Sequence, residues 1–211
     1  MPRTAASLVL AVLITTAGFV GAATTQESLH EEASPATVEK SALDETGYEL
    51  EREYERTVNR TIDDSGERRE VEAVNEVTEY RRTLNLGPLG ERESGLFATV
   101  STPAVEVDGQ ALNPVAEMNT TELVEWLQEE YDRVSVDEVV DSRTVETLGE
   151  EMNVSKFEGA AVVGGQEVDV FLHVGKVRHG DDYVVVVGVY PKVLGGEKRV
   201  VAMIEALEHE A

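Results

Sequence analysis

From Gly47 to Ile62 the chain reads GYELEREYERTVNRTI and alternates. Tyr48, Leu50, Tyr54, Val58 and Ile62 share one face, with Arg52, Arg56 and Arg60 among them, while Glu49, Glu51, Glu53 and Glu55 share the other. Period two is strand periodicity. The same apolar residues also fall four apart, as on a helix, but the ending Thr-Val-Asn-Arg-Thr-Ile favours the strand. Asp63-Asp64-Ser65-Gly66 supplies a turn. A second strand follows over about Arg69 to Leu84, and the two are expected to pair as a hairpin. GPLG at Gly87–Gly90 breaks the chain, and Gly95–Pro103 reads as a third strand ended by proline.

The next stretch, TPAVEVDGQALNPVAEM (Thr102–Met118), holds no Lys, Arg or His. It reads as a crossover from sheet to helix. Pro114 forces extended or turn geometry on Asn113. Asn113 either caps its own turn or lines a groove, and it is a candidate binding residue on the second reading. Asn119, with Glu122 three residues on, has the form of a capping box. Leu123, Trp126, Leu127 and Tyr131 then predict an amphipathic helix over Thr120 to Asp132.

The second half is strand-rich. Arg143–Leu148 and Asn153–Val163 lead to Gly164-Gly165, a hairpin signal. Gln166–Val177 leads to a tight turn at His179-Gly180-Asp181-Asp182. Tyr183–Pro191 (YVVVVGVYP) is the most apolar run and is expected at the centre of the sheet. Gly195-Gly196 opens a last helix with a stripe of Val200, Val201, Ile204 and Leu207. The order β-β-β-α-β-β-β-β-α predicts an α+β fold. Its mainly antiparallel sheet has about six to seven strands, with the internal and C-terminal helices packed on it. The domain is expected over residues 45–211, after a polar linker at 24–44.

Composition changes the picture in two ways. The chain has 42 acidic and 18 basic residues, a net charge of −24, and no cysteine. Without cysteine there are no disulfides, thiolate metal sites or cysteine nucleophiles. So negative a field repels nucleic acid and anionic membranes. The valine runs argue against a disordered acidic chain. Spread glutamate with few lysines instead fits a surface adapted to concentrated salt.

Residues 1–23 have the form of an export segment. Arg3 precedes an uncharged run from Ala5 to Val20, and GAAT at Gly21–Thr24 offers small residues for cleavage. Ala5 to Ala23 is close to the roughly 20 residues of a spanning helix, so an uncleaved anchor is the alternative. The protein is therefore expected outside the cytoplasm, secreted or anchored to the outer face of the cell membrane. It would touch the membrane only through residues 1–23 if they are kept.

Catalytic signatures are missing: there is no GxSxG elbow, Walker loop, GxGxxG after a strand, or HExxH. His173, His179, Asp181 and Asp182 are the best local cluster of polar ligands. A metal needs three or four converging groups, so no metal and no cofactor is expected there. His173, Asp181 and Asp182 stand instead as candidate binding residues. Asn59, Asn119 and Asn153 lie in Asn-X-Ser/Thr sequons. With Asn119 assigned to the helix cap, Asn59 and Asn153 are the glycosylation candidates.

Three segments carry a resemblance: ASPATVEKSALDETGYEL, STPAVEVDGQALNPVAEMNTTELVEWL and LHVGKVRHGDDYVVVVGVYP. With them the chain resembles an uncharacterised haloarchaeal exported family, domain of unknown function 6517, from about Ala33 onward. The resemblance implies a salt-adapted archaeal source and a place outside the membrane. It supplies no activity and no catalytic residue. Related chains often carry a lipobox cysteine where this one has GAATT. At the level of fold, the chain also resembles PsbP-type α/β sandwiches, which would imply an accessory or assembly role.

The leading expectation is a non-enzymatic binding or accessory module that meets a protein or small ligand at the cell surface. A secreted carboxylate- or metal-dependent hydrolase using His173 or His179 is the alternative, and a structural cell-envelope component the third. The charge yields the first prediction. At molar salt the Debye length is about 3 Å and repulsion is screened, but at 0.01 M it is about 30 Å. Dialysis into dilute buffer is expected to loosen the fold, read as a loss of circular dichroism signal; an unchanged spectrum would contradict it.

Overall fold

The computed structural model describes residues 29–64, 67–85, 91–107, 110–111, 113–130, 134–163 and 166–210. Several sequence expectations fall outside them: the export segment, the start of the linker, Ser65-Gly66, GPLG, Gly164-Gly165, and Tyr131 and Asp132. The side chains of Trp126 and Leu127 do so as well.

The elements run β1 (Leu29–Glu32), β2 (Ala36–Val38), α1 (Lys40–Thr46), β3 (Glu49–Asp64), β4 (Glu67–Asn85) and β5 (Glu91–Pro103). A small ribbon follows, β6 (Glu106–Val107) with β7 (Gln110–Ala111), then α2 (Thr120–Glu130). The second half is β8 (Val134–Thr147), β9 (Glu150–Val163), β10 (Gln166–His179), β11 (Asp182–Pro191), α3 (Glu197–Glu205) and β12 (Leu207–His209).

One eight-stranded sheet dominates. From β4 its order is β5, β11, β10, β9, β8, with β3 on the other side of β4. β5 pairs with Glu76–Asn85 of β4, and β1 runs parallel beside Val71–Val74, the part of β4 that β5 does not reach. β12 and β2 form a separate two-stranded ribbon.

This overturns the α+β expectation. The fold is β-rich and its main sheet is mixed, because β1 pairs in parallel. The helices are small, with 7, 11 and 9 residues. The error has a physical source. Strand periodicity is legible in a 16-residue strand such as β3 but not in LHEE or ATV. The residues read as a polar linker therefore hide β1, β2 and most of α1. The last helix is also shorter than its apolar stripe suggested. Val200, Met203 and Ile204 face inward from α3, while Leu207 belongs to β12.

Both faces of the sheet are covered. On one, α1, α3 and the β2–β12 ribbon enclose Phe97, Val184, Val186, Met152 and Tyr190. On the other, Leu123 and Val124 of α2, with Val115 before it, cover Val77, Leu96, Val185, Val187 and Phe157. β11 lies between β5 and β10 and is buried from Val184 to Tyr190, so the central place expected for YVVVVGVYP is the one it takes. The hairpin of β3 and β4 and the capping box at Asn119 are also present. The Asn119 side chain accepts from the backbone N–H of Thr121 and Glu122 at 2.9 and 3.0 Å, and Glu122 accepts from Asn119 N–H at 2.7 Å.

Gly188 interrupts the valines of β11 for a packing reason. A Cβ there would lie 2.5 Å from Cγ1 of Val200, so only glycine lets α3 approach the sheet this closely. Gly188→Ala is expected to destabilise the protein by about 1–3 kcal/mol through overpacking, measured by denaturant unfolding.

Candidate functional site

A polar cluster sits where β12 meets the β10–β11 turn. Gly180 takes φ 60° in that turn, which pairs His179 with Asp182 across the hairpin. Asp182 Oδ2 accepts the backbone N–H of Ser34 at 2.8 Å and faces His209 Nε2 at 3.1 Å. His209 Nδ1 meets His179 Nδ1 at 2.9 Å, and Ser101 Oγ lies 3.2 Å from His209 Nε2. A carboxylate only accepts, so His209 donates from Nε2 to Asp182. His179, His209 and Asp182 thus form one hydrogen-bonded chain.

This cluster holds a serine, a histidine and an aspartate, but not in the arrangement of a nucleophilic triad. In a triad the imidazole turns different nitrogens to the acid and the hydroxyl. Here Nε2 faces both, and Ser101 has no exposed surface. The cluster instead fastens β12 and the segment before β2 onto the sheet.

His173 lies six residues before His179 on β10, roughly 20 Å away. It is 1% exposed, its ring stacks on Tyr190, and its Nε2 lies 3.1 Å from the Tyr190 hydroxyl. Burial lowers its pKa to about 4, and burial raises that of the Tyr190 hydroxyl. A knot of ion pairs stands nearby. Glu197, in the first turn of α3, accepts from Lys156 Nζ at 2.6 Å and pairs with Arg143. These cations hold its carboxyl below the usual range, Lys156 foremost. Lys156 also lies 4.2 Å from the ring centre of Phe171.

Asn113 belongs to the opposite face. Its Nδ2 donates to Thr102 Oγ1 at 2.8 Å and to the Pro103 carbonyl at 2.7 Å, and its Oδ1 accepts from Val115 N–H. Lys176 completes this crossover by donating to the carbonyls of Val115, Ala116 and Met118 at 2.5–2.9 Å. Burial lowers the Lys176 pKa. Asp181 is exposed, and its backbone carbonyl accepts from Ala104 N–H. The candidates Asn113, His173, Asp181 and Asp182 therefore do not form one site. Asn59 and Asn153 are both exposed, on β3 and β9, and Asn153 Oδ1 accepts from Thr144 Oγ1.

Sequence reasoning missed Ser101, His209, Lys176 and Glu197. Only Ser101 left a trace: Phe97, Thr99 and Ser101 alternate as one face of β5, and two hydroxyls on a buried face call for partners. Thr99 donates to the Ala36 carbonyl at 2.5 Å.

An acidic group lies at the sheet margin, where carboxylate oxygens of Glu32, Glu55 and Glu76 come within 4.8 Å of one another. Burial, then Glu55 and Glu32, raises the Glu76 pKa. At this point the carboxylates repel one another.

The chain matches the family model described as a domain of unknown function, DUF6517, over residues 35–208. It belongs to that family. No curated protein matches it.

His173 supplies a pH prediction. Its folded pKa lies below the ordinary 6.5, so the fold favours the neutral ring. That contribution is complete above pH 6.5 and is lost as pH falls towards 4. Acid is therefore expected to remove about 3 kcal/mol over that window. His173→Gln should flatten this part of the stability profile, measured by urea unfolding at a series of pH values.

Proposed function

We propose that this protein is an exported, salt-adapted binding module of the cell surface in a haloarchaeon, and that it works by recognition rather than catalysis. The observation that carries this reading is how its polar side chains are used. Asn113 caps the crossover, His173 is buried against Tyr190, and Asp182 with His209 ties the terminal segments to the sheet. Groups spent on holding the fold are poor candidates for acid–base or nucleophilic work, which needs a group that substrate can reach.

The export-type segment at residues 1–23 and the acidic surface support a place outside the cytoplasm. At molar salt, charge steering is short-ranged, so contact with a protein or small ligand would rest on shape and apolar burial. The residue pair Val193 and Leu194 offers such surface, with Val193 88% exposed just before α3.

The test has two readings. Protease added to intact cells should remove the full-length protein while cytoplasmic proteins survive; protection from protease would contradict the location. Cross-linking on the same cells should then trap a defined partner through the face that carries Val193, and Val193→Asp should reduce that product several-fold.

A further inference from the structure

The face of β3 that carries Arg52, Arg56 and Val58 treats its two arginines differently. Arg52 forms a two-pronged ion pair with Glu79, at 2.9 and 2.7 Å, and the Tyr54 hydroxyl donates to the same carboxylate at 3.1 Å. Glu79 is 1% exposed, so this charge is matched inside the protein. Four residues along, Arg56 stands directly opposite Asn75 of β4. Among the described residues, buried Nη1 of Arg56 has no hydrogen-bond partner. The same holds for buried Oδ1 of Asn75, on a residue 5% exposed.

A buried donor and a buried acceptor without partners thus belong to residues paired across the two strands on one face of the sheet. The neighbouring carboxylates do not help. Glu55 and Glu76 are adjacent in sequence to Arg56 and Asn75, and strand alternation sends them to the other face. The chain has 42 acidic residues, yet among the described residues no carboxylate is seen to pair with the Arg56 guanidinium. Leaving either buried group unpaired is unfavourable, more so for the charged one. Val58 and Val77 flank the pair and are both buried.

We infer that Arg56 and Asn75 form a binding site for a small oxyanion that keeps at least one proton. One oxygen of the ligand accepts from Arg56 Nη1, and its hydroxyl donates to Asn75 Oδ1. Hydrogencarbonate and dihydrogenphosphate have this chemistry. A water molecule would satisfy both hydrogen bonds but would leave the guanidinium charge unmatched. Concentrated salt shortens the reach of the exposed glutamates to about 3 Å, while the partly buried Glu76 is screened less. The site stands apart from the cell-surface partner proposed above, and its failure would leave that reading untouched.

The experiment is thermal unfolding of the full chain in concentrated KCl near neutral pH, titrated with potassium hydrogencarbonate, phosphate or sulfate. Hydrogencarbonate or phosphate should raise Tm in a saturable way, and comparing the two shows whether the site takes a planar or a tetrahedral ion. Sulfate, which carries no proton, should give no saturable rise. Arg56→Gln should abolish the response. Asn75→Asp keeps the test open if that variant folds poorly, because it gives Arg56 a carboxylate directly. It should raise Tm by roughly 2–4 °C without added anion and remove the response. Three results would overturn the proposal: no saturable shift with either protonated anion, which would mean water alone fills the gap; an equal shift with sulfate, which would be a general salt effect; or a response that survives in Asn75→Asp.

Discussion

β11 is buried on both sides, and that constraint shapes the rest of the molecule. Val184 and Val186 point to one face of the sheet and Val185 and Val187 to the other. A strand of this kind cannot lie in a sheet with one wet face. Two covers are needed, and the chain supplies them from different places. The crossover after β5 with α2 makes one. Both ends of the described chain make the other, because β2 and β12 pair and α1 packs near α3. The second cover has little regular structure of its own, so it depends on individual bonds to the sheet: Thr99 to Ala36, Tyr80 to Val38, Thr147 to Ile204, and Asp182 to Ser34 and His209. Buried hydroxyls and a buried imidazole fasten a thin layer over a valine-rich core.

The scarce cations are used in the same way. Lysine and arginine number 18. Several of them close joints between layers rather than decorate the surface. Lys176 gathers three carbonyls of the crossover. Arg143 and Lys156 meet at the start of α3, where Glu197 also gains from the helix dipole. The glutamates left over face solvent, and where three converge beside β1 they repel. The placing of the cations thus decides both which layers are joined and where carboxylates repel.

The long strands were legible because alternation over many residues is hard to mimic. The Asn119 cap was legible because its two halves lie three residues apart. β1, β2 and β12 were not, since three or four residues carry no period and their partners are distant: β2 pairs with a strand some 170 positions later in the chain. Counting helices by their apolar stripes gave them too much weight, and α+β was the consequence. The His179–His209–Asp182 chain was hidden for a similar reason. His179 and Asp182 are visible as a turn, but His209 arrives from the far end of the sequence.

The contrast between Arg52 and Arg56 shows where sequence pattern stops. The two arginines occupy equivalent places in the alternation of β3, and nothing local separates them. Their difference is a matter of register. Asp64 pairs with Glu67, so two residues lie between the strands of the hairpin. That pairing places Glu79 opposite Arg52 and Asn75 opposite Arg56. A four-residue turn, as the sequence suggested at residues 63–66, would have slid β4 along β3 and given the arginines other partners. One arginine is matched and the other is left with an amide because of the length of a single turn. An unpaired donor of this kind becomes visible only when the residue across the strand is known.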